Sequence, residues 1–253
     1  LNELRSALNT GKGLELHYQP QVLPTNGRVV GCEALIRWIK PQGESIAPDV
    51  FIPLAEYTGL IVEIGDWVFA EACRQIVQWD RSGLPAFRVG INISAAQFRE
   101  TDFVAKIASA IEMSGVDPAR LELEITESVA MEDPESVARQ LRELKALGLR
   151  VAVDDFGCGF SSLGSLNRLP FDRIKIDRAF VRELTPSTSQ DCIARIIIKL
   201  AKSLGLDVIA EGVETAEQSR LLEEMGCREM QGFLYGRPMH ADALASWVGG
   251  NPA

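Results

Sequence analysis

The stretch that decides the fold reads Leu121-Glu-Leu-Glu-Ile-Thr126, then Pro134-Glu-Ser-Val-Ala-Arg-Gln-Leu-Arg-Glu-Leu-Lys-Ala-Leu147, then Gly148, then Val151-Ala-Val-Asp154. The outer segments have the composition of short buried strands. The middle one is an amphipathic helix that opens on a proline and stops at a glycine. Strand, helix, strand is the unit of a parallel sheet. Working outward, the same unit recurs. Strands are predicted at Val89–Ile93, Arg173–Ile176, Asp207–Ala210 and Glu229–Gly232, with helices at Phe51–Gly59, Glu63–Ser82, Asp102–Ser114, Ser187–Leu204, Ala216–Met225 and Ala241–Val248. Near the start the pattern differs. Leu14–Tyr18 and Arg28–Ile36 flank Asn26-Gly27, a dipeptide that favours tight hairpins, so these two strands should run antiparallel. The sum is eight strands, which at this length predicts an α/β fold of the TIM-like (β/α)8 barrel class with one antiparallel strand near the N-terminus. An open doubly wound sheet is the alternative, but no GxGxxG loop follows the first strand.

The chain has 253 residues, 46% hydrophobic and 24% charged, which excludes a disordered chain or a small disulfide scaffold. No linker divides it, so one domain spanning 1–253 is expected. Its most apolar run, Ile196-Ile-Ile198, meets Lys199 and Lys202, so no segment reads as a membrane span. The net charge of −9 argues against a groove for duplex nucleic acid. Five scattered cysteines (32, 73, 158, 192 and 227) without CxxC spacing suit a reducing compartment, so a cytoplasmic domain is expected. The chain opens on Leu1 rather than Met, so it is expected to be a piece cut from something longer.

In such barrels, function sits where strands end. Those positions hold Gln19, Glu33, Asn92, Glu124, Asp154-Asp155, Lys175, Glu211 and Gln231, and from Asn92 onward the gaps are 32, 30, 21, 36 and 20 residues. Any one of these groups alone reads as a loop anchor. Together they put five carboxylates and one lysine in a single mouth. Like charges that close raise one another's pKa or demand cations. An oxygen-only donor set, with neither histidine in it, suits hard ions such as Mg²⁺, Mn²⁺ or Ca²⁺. Two such ions would nearly neutralise the mouth, and a paired-metal site is the usual arrangement for phosphodiester cleavage. Lys175, between Ile174 and Ile176, should point inward and needs an anionic partner. Asp155-Phe-Gly157 also occurs in protein kinases, but the rest of that signature is missing.

With these residues in view, the chain resembles the EAL-domain cyclic-di-GMP phosphodiesterases. The resemblance rests on Glu33-Ala34-Leu35 with Gln19-Pro20 and Arg37-Trp38, Asn92-Ile-Ser94, Glu124-Ile-Thr-Glu127, Asp154-Asp-Phe-Gly157, Lys175-Ile-Asp177, Glu211-Gly-Val-Glu214, Gln231-Gly-Phe233 and Arg237-Pro238. It implies hydrolysis of cyclic di-GMP to linear pGpG with two Mg²⁺ or Mn²⁺ ions. It also implies Glu33, Asn92, Glu124 and Asp154 as ligands of one metal, and Asp154 with Asp155 as ligands of the other, Glu211 lying close by. Lys175, Glu211 and Gln231 would be catalytic. Gln19, Leu35, Arg37 and Glu214 would contact substrate, with Phe233, Tyr235 and Pro238 available to pack on a base. Glu127 would anchor the loop after Asp155. The resemblance further implies a homodimer and, in the parent protein, attached sensory or GGDEF domains. Cys158 and Phe160 stand where the family usually shows Thr and Tyr. The alternative is a catalytically silent cyclic-di-GMP receptor, which usually lacks several of these ligands.

Overall fold

The computed structural model describes residues 2–157, 168–187, 189 and 192–250. Cys158, Phe160 and the rest of the loop to Ser162 lie outside the described residues. Among the described residues nine strands form: β1 (Leu14–Val22), β2 (Val29–Ile39), β3 (Ser45–Ile46), β4 (Arg88–Ile93), β5 (Leu121–Thr126), β6 (Arg150–Phe156), β7 (Arg173–Ile176), β8 (Asp207–Ala210) and β9 (Glu229–Gln231). Their order is β1-β9-β8-β7-β6-β5-β4-β2, and β1 also pairs with β2, so eight strands close into a barrel while β3 hangs on β2 outside it. From β2 and β4 round to β9 the pairs within the ring are parallel. β1 alone is reversed, antiparallel to β2 and β9 alike. The hairpin turn forms where Asn26-Gly27 predicts it. Gly27 adopts φ 70°, a left-handed conformation that glycine enters without a Cβ clash.

The helices pack outside because each carries one apolar stripe. Leu60–Arg81 buries Leu60, Ile61, Ile64, Val68, Phe69, Ala72, Ile76 and Trp79, a spacing of three and four residues that keeps one face on the strands. Glycines in left-handed geometry stop the helices at Phe103–Ser114, Ile193–Leu204 and Ala216–Met225. The sequence misses three things here. A helix at Asn2–Thr10 and short helices at Ala95–Phe98, Glu127–Glu132 and Arg178–Arg182 carry too few turns to show periodicity. β3 is only two residues long. The helix expected from Ser187 begins at Ile193, with Pro186 and Ser187 in a turn ahead of it. Among the described residues, no helix is long and apolar enough to cross a membrane.

Candidate active site

Parallel strands bring their C-terminal ends to one rim, and alternation decides which side chains turn inward. Lys175 on β7 is fully buried there, between Ile174 and Ile176. Its ammonium lies 2.5 Å from Glu124, 2.7 Å from Glu211, 3.1 Å from Asp154 and 3.9 Å from Glu33. One cation therefore sits among four carboxylates delivered by β2, β5, β6 and the end of β8. Asn92 joins them, its Nδ2 donating to Glu33 at 2.6 Å. Gln231 Nε2 donates to the other Glu33 oxygen at 2.5 Å and to Gln19 Oε1 at 3.2 Å. Gln19 is fixed in turn by donating to the Gly236 carbonyl.

The packing is tight enough that one position must be glycine. Gly90, two residues before Asn92, faces the same interior, and a Cβ there would stand 2.1 Å from Oε1 of Glu124. That oxygen is buried and has no hydrogen-bond partner, while its neighbour Oε2 holds Lys175. A buried carboxylate oxygen without a donor costs stability unless something electropositive reaches it. Burial pushes the Glu124 carboxyl well above the ordinary carboxylate range; Lys175 opposes that rise, and Glu33, Asp154 and Glu211 add to it. Burial likewise raises Glu211 to about 8, against the pull of Lys175. Burial disfavours the Lys175 ammonium, but Asp154, Glu124, Glu211 and Glu33 together hold its pKa well above the usual lysine value. Four acids against one base leave the cluster short of positive charge. The donor set is carboxylate and amide oxygen throughout, which fits divalent Mg²⁺ or Mn²⁺.

Asp155 takes its place at the strand end by an irregular backbone. Successive residues of a regular strand point to opposite faces, yet both Asp154 and Asp155 reach the mouth. Asp155 takes a left-handed φ of 52°, and the β6–β7 register shifts between Val153 and Phe156. This costs backbone strain of about 1–3 kcal/mol and turns a second carboxylate onto the rim. Asp155 lies beside Asp177; burial, then Asp154 and Asp177, raise its pKa to about 6, against the pull of Lys175. Asp177 has no role in the sequence reading. Its sign was available there, two residues beyond Lys175 and so on the same face. Glu127 is buried and accepts the Gly157 N–H at 2.7 Å, clasping the backbone just after Asp155.

Two clefts flank the cluster. One, of about 430 Å³, is lined by Gln19, Glu33, Leu35, Asp155, Asp177, Glu211, Glu214, Phe233 and Pro238. The other, of about 300 Å³, is lined by Leu35, Arg37, Pro48, Ile52, Asn92 and Glu124 among others, and is mostly apolar. Leu35 lines both. Burial lowers the Arg37 pKa, with Glu33 and Glu15 opposing the fall. Phe233 is half exposed, with the Arg237 guanidinium 4.1 Å over its ring. Tyr235 is not among the residues lining either cleft; its hydroxyl donates to Ser219, on the helix Ala216–Met225.

Residues 1–238 match the EAL domain family, and the chain belongs to it. It is 45% identical over 248 residues to the bifunctional diguanylate cyclase/cyclic di-GMP phosphodiesterase MucR of Pseudomonas aeruginosa, covering 98% of this chain and 36% of MucR. It is 40% identical to the cyclic di-GMP phosphodiesterase NbdA of the same organism, covering 97% of this chain and 31% of NbdA. The chain thus spans about a third of the length of these relatives. Among solved structures, the MucR phosphodiesterase in complex with c-di-GMP superposes with a TM-score of 0.91 at 45% identity, covering 96% of this chain and 98% of that one.

Proposed function

We propose that this domain hydrolyses one phosphodiester bond of cyclic di-GMP to give linear pGpG, using two divalent ions, Mg²⁺ or Mn²⁺. The observation that carries the reading is the ring of four carboxylates about Lys175, with a buried Glu124 oxygen that no protein donor satisfies. Glu33, Asn92, Glu124 and Asp154 would hold one ion and Asp154 with Asp155 the other. When bound, the ions lower the pKa of a water molecule and draw negative charge from the phosphate.

The chain's own groups then divide the work. Lys175 orients the attacking water and stabilises charge growing on the phosphoryl oxygens. Glu211 takes the proton that the water loses as its oxygen bonds to phosphorus. The P–O3′ bond breaks, and the departing oxygen collects a proton from solvent. Gln231, locked to Glu33 and Gln19, fixes the water's approach. The two clefts, meeting at Leu35, match a ligand with two bases joined through phosphates. Arg37 would pair with a phosphate, Gln19 and Glu214 would contact a guanine, and Phe233 offers it a face. The parent protein would be cytoplasmic at this domain, carry sensory or GGDEF segments, and pair through it as a homodimer.

The test is turnover of cyclic di-GMP by the purified chain with Mg²⁺ or Mn²⁺, products resolved by chromatography. We expect pGpG whose formation EDTA stops. Glu33→Ala, with the circular dichroism spectrum unchanged, should lower the rate by at least about 100-fold, beyond what removing a mere supporting residue does. Tight binding of intact cyclic di-GMP without turnover would overturn the reading in favour of a receptor.

A further inference from the structure

The two histidines of the chain, His17 and His240, are 223 residues apart in sequence and meet in the fold. Their ring centroids are 4.2 Å apart. The backbone explains why. Tyr18 and Met239 form an antiparallel bridge, Tyr18 N–H donating to the Met239 carbonyl at 2.7 Å and Met239 N–H returning the bond at 3.0 Å. In that pairing His17 faces His240. Two residues before His17 on β1, on the same side of the strand, stands Glu15. One of its carboxylate oxygens is 3.1 Å from His17 Nε2 and the other 4.0 Å from His240 Nδ1.

We propose that Glu15, His17 and His240 form a second metal site, for a borderline transition ion such as Zn²⁺, separate from the acid ring. One ligand atom from each residue falls within 4.8 Å of the others. A tetrahedral Zn²⁺ with bonds of about 2.0–2.1 Å holds its ligands about 3.4 Å apart, so small side-chain rotations close the set. Two imidazoles and one carboxylate make the donor set that zinc takes and Mg²⁺ does not. The site is half open: the side chains of His17, Glu15 and His240 are 19%, 34% and 64% exposed. An ion can enter, and its fourth position faces water. Glu15 lies across the hairpin from Arg37, in register with it. The ion would therefore sit at the edge of the mouth and tie β1 to the start of the helix Ala241–Gly250. The proposal does not depend on the hydrolase reading.

Because the chain has only two histidines, their ring signals report this site and no other. The experiment is a zinc titration of tag-free Glu33→Ala protein, which keeps Glu15, His17 and His240, followed by nitrogen-edited NMR of the rings. One equivalent of Zn²⁺ should shift both rings, and millimolar Mg²⁺ should shift neither. In the same background His17→Gln and His240→Gln should each weaken Zn²⁺ binding at least tenfold in equilibrium dialysis, with the remaining NMR spectrum folded. Movement of only one ring, or zinc binding unchanged by both substitutions, would overturn the assignment.

Discussion

The barrel interior holds two charged layers, one above the other on the same strands, and they differ in balance. The upper layer, at the strand ends, sets Glu33, Glu124, Asp154 and Glu211 against Lys175 alone. The lower layer lies two residues back on β5 and β7. There Arg173 pairs with Glu122 at 3.2 Å and Glu229 at 2.8 Å, Arg88 joins Glu229 at 3.0 Å, and Arg150 bridges Glu122 at 3.5 Å and Asp207 at 2.5 Å. Three arginines meet three acids, so the formal charges balance, although Glu122 Oε2, like Glu124 Oε1, has no hydrogen-bond partner. A balanced network needs nothing beyond itself; an unbalanced one is short of positive charge. Glu122 and Glu124 are both buried on one short strand, so burial alone does not separate a scaffold from a site. Charge accounting does.

The largest effect should come from breaking the balanced layer. Arg173→Met strands Glu122 and Glu229 without their shared cation, and unpairing a buried ion costs about 3–5 kcal/mol. Denaturant unfolding should show that loss whether or not Mg²⁺ is present; a stability unchanged from wild type would show that the layer carries no load. A smaller effect should follow in the upper layer. In Gly90→Ala the new methyl displaces Glu124, an overpacking cost of about 1–3 kcal/mol. Here metal affinity, read by calorimetry with Mn²⁺, should fall as well, which Arg173→Met would not produce in its folded fraction.

The mildest test is pH. Glu211 titrates near 8 in the folded metal-free protein against an ordinary 4.5, so between these values the folded chain keeps a proton that the unfolded chain has lost. Stability is then full below the lower value and falls as pH rises toward the upper one. In EDTA the melting temperature should decline from about pH 5 to about pH 8, and saturating Mg²⁺ should remove the decline. A flat profile in EDTA would mean that the upper layer keeps its carboxylates ionised without help.

Much of the barrel was legible because its signals are local. Eight ring strands, the Asn26-Gly27 turn and the glycine helix stops each lie within a few neighbouring residues, and alternation alone turns Lys175 inward. The upper layer was legible as a list of strand ends. What escaped depends on geometry that no window of sequence holds. Asp155 was named at the mouth, but not the left-handed backbone and slipped register that turn it there, nor Asp177 as its neighbour. Arg173 reads as one more polar residue starting a strand until Glu122 and Glu229 close around it. His17 and His240 meet only because the last segment of the chain folds back on the first strand.

That return has a consequence for how the protein is made. β1 holds β2 through nine paired positions, yet it meets β9 through only two, Gln21 with Gln231 and Val22 with Met230. The barrel is thus a clasp whose two halves are made far apart in time, β1 some two hundred residues before β9. Until Gln231 has been added, Glu33 lacks one of the two amides that steady it, and the hairpin waits with an unfilled edge. A nascent chain cannot complete the acid-ringed mouth early; the ring waits until β9 has been made.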